Sequence, residues 1–339
     1  MKLPGIENLD LTQKKALVRA DLDLSVDRQV FTDINRLEFL VPTLEYLNKR
    51  NCEIILLGHR GKPEGKFNQD LSLKPVSQAL EELLKQKWGE DKVKTLKMQM
   101  MENLRFNQGE EENDQKFAQC LAEKGDVYIN EAFAVSHREH ASIVGIPKFL
   151  PHAAGFRFRA EIENLSKVLD NPKRPLIFII SGLKEDKLDY LEDFSRLGDK
   201  VLIAGRLPEY IEKNSKLKTL PAQAGLNSKL IVATLLPDNE DVTIHTIEKF
   251  EEEIGGAGTI ILAGPIGKFE EEGHRMGTER IFRAVAESNA FKVAGGGDTE
   301  KAISALNLVK EFNWISVGGG AMLQFLAKGT LPGIEALLN

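Results

Sequence analysis

The sequence predicts an α/β protein of two doubly wound parallel-sheet domains. Three observations carry this. Short apolar runs recur along the 339 residues and are near-continuous in Val, Ile, Leu and Ala, as strands buried on both faces require. Longer segments with apolar residues at helical spacing separate them, so strand alternates with helix and right-handed crossovers follow. The length suits two domains of ordinary size, each with room for a buried core. Both domains are therefore expected to be Rossmann-like.

Taken in order, "KALVRADL" reads as the first strand and "VPTLEYLNKR" as a helix. "CEIILLGHRG" is the next strand, followed by the helical "KPVSQALEELLKQ" and "DQKFAQCLAEKG", and then by the strand "DVYINEAF". After "PHAAGF" a long helical run, "AEIENLSKVLDN", ends at "PKRP". This helix, over 153–172, is expected to be a hinge joining two halves, residues 1–152 and 153–325. In the second half "PLIFIISG", "KVLIAG", "TIILAGP", "FKVAGGG" and "WISVGGG" read as strands, with "ERIFRAVAESN" among the helices. The acidic stretch at 251–253 and "GGAG" at 255–258 read as solvated connector.

Composition narrows the function. Net charge is -6, so no basic field favours nucleic acid or an anionic membrane surface. Phosphate binding would have to rest on local clusters. The two cysteines, Cys52 and Cys120, sit in apolar or helical patterns, which argues against a disulfide framework and for a reducing compartment. No N-terminal stretch has a signal-peptide layout, and the apolar runs are too short to span a bilayer. A cytoplasmic protein is expected. No long apolar stripe is left unassigned, so a monomer is expected as well.

The strand ends carry the chemistry. In open parallel sheets ligands bind beyond the carboxyl ends of strands. "KVAGGGDTEKAI" and "ISVGGGAMLQFL" each put three glycines between a strand and a helix. Gly295, Gly296 and Gly297, and likewise Gly318, Gly319 and Gly320, let a ligand approach the backbone. The helix starts behind them offer unpaired N–H groups to phosphate. Asp298 repels bare phosphate, so an intervening Mg²⁺ is the natural partner; the alternative is a plain helix cap. "LAGPIGKF" at 262–269 adds a third glycine turn and favours the phosphate reading. In the first half, Arg19, Asp21 and Asp23 end the first strand, and His59, Arg60 and Lys62 follow the second. Arg105 lies in "ENLRFNQGEEEND", and His137, Arg138 and His140 in "NEAFAVSHREHAS". Planar arginine forks suit carboxylate and phosphate, so a basic pocket for a small phosphorylated acid is expected. The two histidines are alternatively a metal pair, against which the lack of a third His or Cys at suitable spacing weighs. A dinucleotide-binding dehydrogenase would need G-x-G-x-x-G, which neither glycine segment continues into.

These segments resemble the phosphoglycerate kinase family over nearly the full length. "LVRADLDL", "GHRGKPEG", "MENLRFNQGEEEND", "DVYINEAFAVSHREHASIVGIPKFLPHAAGF", "AGPIGKFE", "VAGGGDT", "SVGGGAMLQFL" and "LPGIEALL" follow its blocks in order. The resemblance implies a phosphoglycerate-binding N-terminal domain, a nucleotide-binding C-terminal domain, and a tail, 326–339, packing back on the first. It implies reversible phosphoryl transfer between 1,3-bisphosphoglycerate and ADP, giving 3-phosphoglycerate and ATP, with Mg²⁺ accompanying ATP/ADP and with domain closure. Carried over, Asp21, Asp23, Arg36, His59, Lys62, Arg105 and Arg138 would hold the acid. Lys184, Lys187, Gly205, Gly264, Glu270, Gly295, Gly296, Gly297, Asp298 and Thr299 would hold the nucleotide, with Asp298 at the metal. Arg36, Lys187, Gly297 and Gly320 would serve the transfer itself.

The departures fall mostly in the second half. Asp23 stands where the family has Asn, and Lys62 where it has Arg. "GLKEDKL" is one residue shorter between its lysines than the family pattern. Their directions relative to the helix are therefore expected to differ from the family's, because one residue rotates a helical side chain by roughly 100°. "IAGRLPEYI" keeps only Gly205 of a glycine-rich block, Ala263 replaces an Asn, and "DVTIHT" lacks a Gly-Pro. The chain is also shorter than typical members, mostly between 205 and 260. Two readings follow: a compacted working kinase with remodelled base contacts, or a kinase-like module that binds an anionic metabolite without transfer. Retention of Arg36, Lys187, Asp298 and both glycine turns favours the first.

Overall fold

A computed structural model describes residues 3–24, 26–27, 30–31, 34–214 and 229–339. The chain divides into two compact units, Met1–Glu163 with Thr330–Asn339, and Asn164–Gly329. The division falls inside the helix Phe156–Asp170 rather than at residue 152, and the last segment to join the first unit starts at Thr330 rather than 326. The reason lies in how that helix begins. Glu131 accepts from the backbone N–H of Phe158 at 2.9 Å and of Arg157 at 3.4 Å, and Thr43 Oγ1 accepts from that of Phe156 at 3.3 Å. The first turn of the helix is thus capped by side chains of the first unit, supplying partners that helix-start N–H groups otherwise lack.

The first unit carries a five-stranded parallel sheet in the order β5-β4-β1-β6-β7. Its strands are β1 (Lys15–Arg19), β4 (Glu53–Leu57), β5 (Met98–Met100), β6 (Val127–Asn130) and β7 (His152–Ala154). A two-residue antiparallel ladder, β2 (Val26–Asp27) with β3 (Val30–Phe31), stands apart from it. Strand period two sends Ala16, Val18, Ile54 and Leu56 to one face. There they meet Leu37, Leu40, Leu44 and Leu47 of the helix Asn35–Asn48 and Val76, Leu80 and Leu84 of Lys74–Trp88. Leu17, Ile55 and Leu57, facing the other way, are buried too, which is why these strands read as continuous apolar runs.

The second unit holds a six-stranded parallel sheet in the order β10-β9-β8-β11-β12-β13. The strands are β8 (Leu176–Ile180), β9 (Lys200–Ile203), β10 (Leu230–Val232), β11 (Thr259–Ala263), β12 (Phe291–Gly295) and β13 (Trp314–Ser316). Ile177, Ile179, Leu202, Ile260 and Leu262 pack with Phe250 and Ile254 of the helix Ile244–Gly255 and with Ile281, Phe282 and Val285 of Met276–Glu287. Burying each such side chain contributes about 1.5–3 kcal/mol.

Both sheets start in the middle, wind outward to one side, then cross back. Winding reverses between β1 and β6 in the first unit and between β8 and β11 in the second. At such points the loops leave a crevice beyond the strands' carboxyl ends. All strands read from the sequence are present, and the short β2, β3, β5, β7 and β10 are additions to them. Much of the region expected to carry the missing length, residues 215–228, lies outside the described residues.

Candidate functional site

At the carboxyl ends of β1, β4 and β6, cationic side chains gather. Arg19, the last residue of β1, is fully buried. Its Nε donates to Ser142 Oγ at 2.8 Å, one terminal nitrogen donates to the Ala20 carbonyl at 2.6 Å, and the other lies 2.9 Å from His59 Nδ1. Ser142 Oγ passes the contact on to Glu110 at 2.6 Å. Arg105, nearly buried, donates to the Gly61 carbonyl at 2.7 Å and pairs with Glu111 at 3.3 Å. Arg138 donates to His137 Nε2 at 3.3 Å.

The electrostatics show these groups sharing one space. Burial first, then Arg19, Arg105, His140 and Arg138, hold His59 well below the usual histidine range. Burial and then Arg105, Arg19, Arg138 and His137 push His140 down to about 3. Burial also lowers Arg105, and nearby Arg138 and Arg19 act in the same direction. Both histidines are therefore neutral at pH 7, and the positive charge of the cup rests on its arginines. A concentration of cations in a chain of net charge -6 makes a receptor for a small polyanion.

Two acids are set within it. Arg36, in the first turn of the helix Asn35–Asn48, donates to Asp21 at 2.6 Å. Asp23 accepts from the Gly61 N–H at 2.8 Å and lies 3.7 Å from His59 Nε2. The Gly61 peptide is thereby clamped on both sides, by Asp23 at its N–H and by Arg105 at its carbonyl. Lys62 follows directly and is exposed. Asp21, Asp23, Arg36, His59, Arg105 and the buried Arg19 are thus tied to one another or to the same loop. Glu110 and Ser142, which complete the support beneath Arg19, are functional residues the sequence did not disclose. Their only signal is a run of glutamates 32 residues upstream of a serine. His137 and His140 belong to the same cationic group. Among the described residues no three His, Cys, Asp or Glu side chains gather to hold a metal ion.

In the second unit the site forms where winding reverses. Lys187 Nζ donates to the Ser181 carbonyl, just beyond β8, and to the Ala263 carbonyl at the end of β11, the latter at 3.0 Å. Burial is the main cause that brings the ammonium down to about 8, and Asp186 and Asp298 oppose the shift. Gly264 adopts φ +115, and a Cβ there would strike the Ser181 carbonyl and come within 2.9 Å of Lys187 Nζ. Only glycine fits beside the lysine. Gly205, at the end of β9, abuts the Gly182 backbone.

Glu185–Tyr190 is a 3₁₀ helix, not an α-helix, with Lys184 as its N-cap. Lys184 precedes the winding, with extended backbone, and is exposed, whereas Lys187 is partly buried. The charge of Lys184 is still felt at Lys187.

The paired glycine turns contact each other. A Cβ on Gly319 would lie 2.9 Å from the Gly296 Cα, so the turns after β12 and β13 pack backbone to backbone. Gly296, at φ 103, caps the helix Gly297–Ala305, and Gly318 caps Gly319–Lys328. Gly297 faces open space and Gly320 is exposed, leaving those N-termini approachable. Asp298 is not the cap. It lies in the first turn, exposed, and among the described residues its carboxylate has no hydrogen-bond partner. Thr299 is buried, and its hydroxyl donates to the Gly295 carbonyl at 2.9 Å and accepts from the Gly264 N–H at 2.8 Å. It holds the Gly264 turn against β12. Glu270 is exposed in the turn after Phe269.

A single exposed carboxylate beside approachable helix N-termini fits Mg²⁺ carried by a nucleotide, because that ion takes one or two protein carboxylates and fills its shell with phosphate oxygens and water.

Comparison with known proteins agrees with this geometry. The family model described as Phosphoglycerate kinase matches residues 6–220 and 233–329. The chain is 33% identical to Phosphoglycerate kinase of Finegoldia magna over 392 residues, covering 99% of each chain. It is 36% identical to that of Borrelia garinii, covering 96% of each. The Finegoldia alignment is longer than the 339 residues here, so that relative carries residues this chain lacks. Two solved structures are similar throughout. Phosphoglycerate kinase from Coxiella burnetii has TM-score 0.81 at 28% identity, with 99% of each chain covered. That from Pyrococcus horikoshii has TM-score 0.82 at 26% identity, covering 99% of this chain and 98% of its own.

Proposed function

The chain belongs to the phosphoglycerate kinase family, and we propose from that premise how its own residues serve the reaction. The reaction is reversible phosphoryl transfer between 1,3-bisphosphoglycerate and ADP, giving 3-phosphoglycerate and ATP, a step of glycolysis. The acceptor in the reverse direction is a carboxyl group. The observation that carries the assignment of sites is the convergence of Arg19, Arg105 and Arg138 on His59 and His140. Such a cup suits an acid bearing two anionic groups and little else in a chain of this charge.

Transfer demands little covalent chemistry of the protein. The attacking and leaving oxygens must be in line, and charge on the moving group must be stabilised. Arg36, fixed by Asp21, and the cup arginines hold the carboxylate and phosphate of the acid. Lys184, Lys187 and the N–H groups at Gly297 and Gly320 receive the phosphates of the nucleotide. These donors are oriented before the substrate arrives, which is where electrostatic catalysis gets its advantage over water. Asp298 would hold Mg²⁺, which when bound neutralises phosphate charge. Thr299 positions the Gly264 turn, and Glu270 is an exposed carboxylate six residues on. A reducing, cytoplasmic setting fits the two free cysteines.

The alternative, metabolite binding without transfer, is disfavoured by Lys187, which is held at the ends of β8 and β11 beside the Gly264 turn and feels the charge of Asp298. A coupled assay with 3-phosphoglycerate and a panel of Mg-nucleoside triphosphates tests the proposal. Turnover with at least one triphosphate is expected. Binding of 3-phosphoglycerate with no turnover on any triphosphate would leave the sensor reading.

A further inference from the structure

Arginine 19 is an unusual neighbour for a histidine. Its guanidinium is protonated at every accessible pH and can only donate. One of its terminal nitrogens lies 2.9 Å from His59 Nδ1. That nitrogen must therefore accept, and the ring must carry its proton on Nε2. Among the described residues no other hydrogen bond to the His59 ring competes for the assignment. His59 Nε2 is 3.7 Å from Asp23 Oδ2, beyond hydrogen-bond reach, so its N–H is available. Arg19 is itself immobilised by Ser142 and the Ala20 carbonyl, and Ser142 by Glu110, which accepts from both its hydroxyl and its backbone N–H. Tyr128 adds a further hold on the Ser142 carbonyl at 2.6 Å.

We propose that Arg19 is a positioning residue for the acid substrate: it locks His59 as the neutral Nε2–H tautomer, so the ring offers a fixed N–H donor instead of a cation. This rests on the kinase reading, and it concerns what His59 contributes to it. A lone imidazole divides between two tautomers and a charged form around pH 6.5. A locked one presents the same donor at every pH at which the protein is folded. The charged and titratable groups facing the ring are Arg19, Arg105, Arg138, His140 and Asp23. The arginines disfavour an imidazolium, and His140, depressed by the same cations, adds no competing titration near neutrality. Asp23 is the one opposing charge. It is half-exposed and already engaged by the Gly61 N–H. The base of the cup therefore donates hydrogen bonds without adding a group that titrates in the working range.

The test is nitrogen-15 NMR of the full chain labelled in its histidines, with the His59 signals assigned by their loss in His59→Asn. Expected is one protonated ring nitrogen, Nε2, and one bare nitrogen, Nδ1, unchanged between pH 8 and pH 5. In Arg19→Met the pattern should average between the two tautomers, while burial, Arg105 and Arg138 still hold the ring neutral. KM for 3-phosphoglycerate should rise roughly tenfold with kcat less affected, as for one hydrogen bond to a charged group. Arg19→Lys, which keeps a donor, should restore the wild-type pattern. A wild-type His59 protonated on Nδ1, or titrating near the ordinary histidine value, overturns the proposal even if neither variant folds. So does an Arg19→Met spectrum identical to wild type. Absence of turnover in the wild type would instead count against the kinase reading and leave the spectra to decide the tautomer.

Discussion

Lys187 Nζ and the Ala263 carbonyl oxygen are 3.0 Å apart, which pins an ammonium between the ends of β8 and β11. This is the point at which the winding of the second sheet reverses. Burial lowers the ammonium to about 8, so its charge depends on pH in the working range. Nucleotide affinity should fall as pH rises through about 8, because the neutral amine no longer offsets phosphate charge. The stability effect has the opposite sign. Between about 8 and the model-peptide value near 10.4 the unfolded chain binds more protons than the folded one, so stability rises with pH across that window. Lys187→Met should abolish the pH dependence of ADP affinity. A slope unchanged in this variant would assign it to another group.

Arg36→Ala should lower turnover by about 10²–10³-fold, the usual effect of removing one pre-organised donor. The melting temperature should fall as well, since the Arg36 and Asp21 side chains are only 16% and 9% exposed and the carboxylate loses this cation. Steady-state kinetics and a thermal melt on the same preparation decide this. Near-normal turnover would remove Arg36 from the mechanism.

Asp298→Ala should weaken binding of Mg-ADP measured by titration calorimetry and leave metal-free ADP little changed. The carboxylate has no hydrogen-bond partner among the described residues and caps no helix, so the fold loses nothing. Equal effects on both ligands would mean that Asp298 does not meet the metal.

Thr299→Val should destabilise the protein by about 1–3 kcal/mol, because the Gly264 N–H loses its buried acceptor. KM for the nucleotide should rise with it, as the turn beside Lys187 loosens. Thr299→Ser should recover both. If valine changes KM and leaves denaturant unfolding untouched, the hydroxyl meets the ligand after all.

Glu131→Ala removes the acceptor for the first N–H groups of Phe156–Asp170 and should cost about 1–3 kcal/mol in urea unfolding. Burial raises the Glu131 carboxyl, while Thr43 and the helix-start N–H groups oppose this. A raised acid contributes stability at low pH that is lost as pH climbs through its folded value, so Glu131→Gln should narrow the difference in stability between pH 5 and pH 8.

What could be read from the sequence follows from how each feature is encoded. Strands such as Leu176–Ile180 and Thr259–Ala263 are buried along their whole length, so composition alone discloses them. Met98–Met100 and His152–Ala154 are three-residue edge strands without a long apolar run, and they left no signal. The arginines of the cup stand next to strand ends and were readable. Glu110 and Ser142 were not, because their pairing spans 32 residues and depends on the fold. The winding at Lys187 was not readable, because local pitch is invisible in a six-residue segment and the chain there is 3₁₀ rather than α-helical. The glycine doublet was read as phosphate chemistry. Part of its cause is steric, since Gly296 and Gly319 touch.

The most direct measurement traps the product. The chain is incubated with carbon-labelled 3-phosphoglycerate, MgATP and hydroxylamine, which converts any acyl phosphate to a stable hydroxamate. Labelled hydroxamate that requires ATP and disappears in Arg36→Ala is predicted. Tight retention of the labelled acid with no hydroxamate formed would contradict phosphoryl transfer at these two strand-end sites.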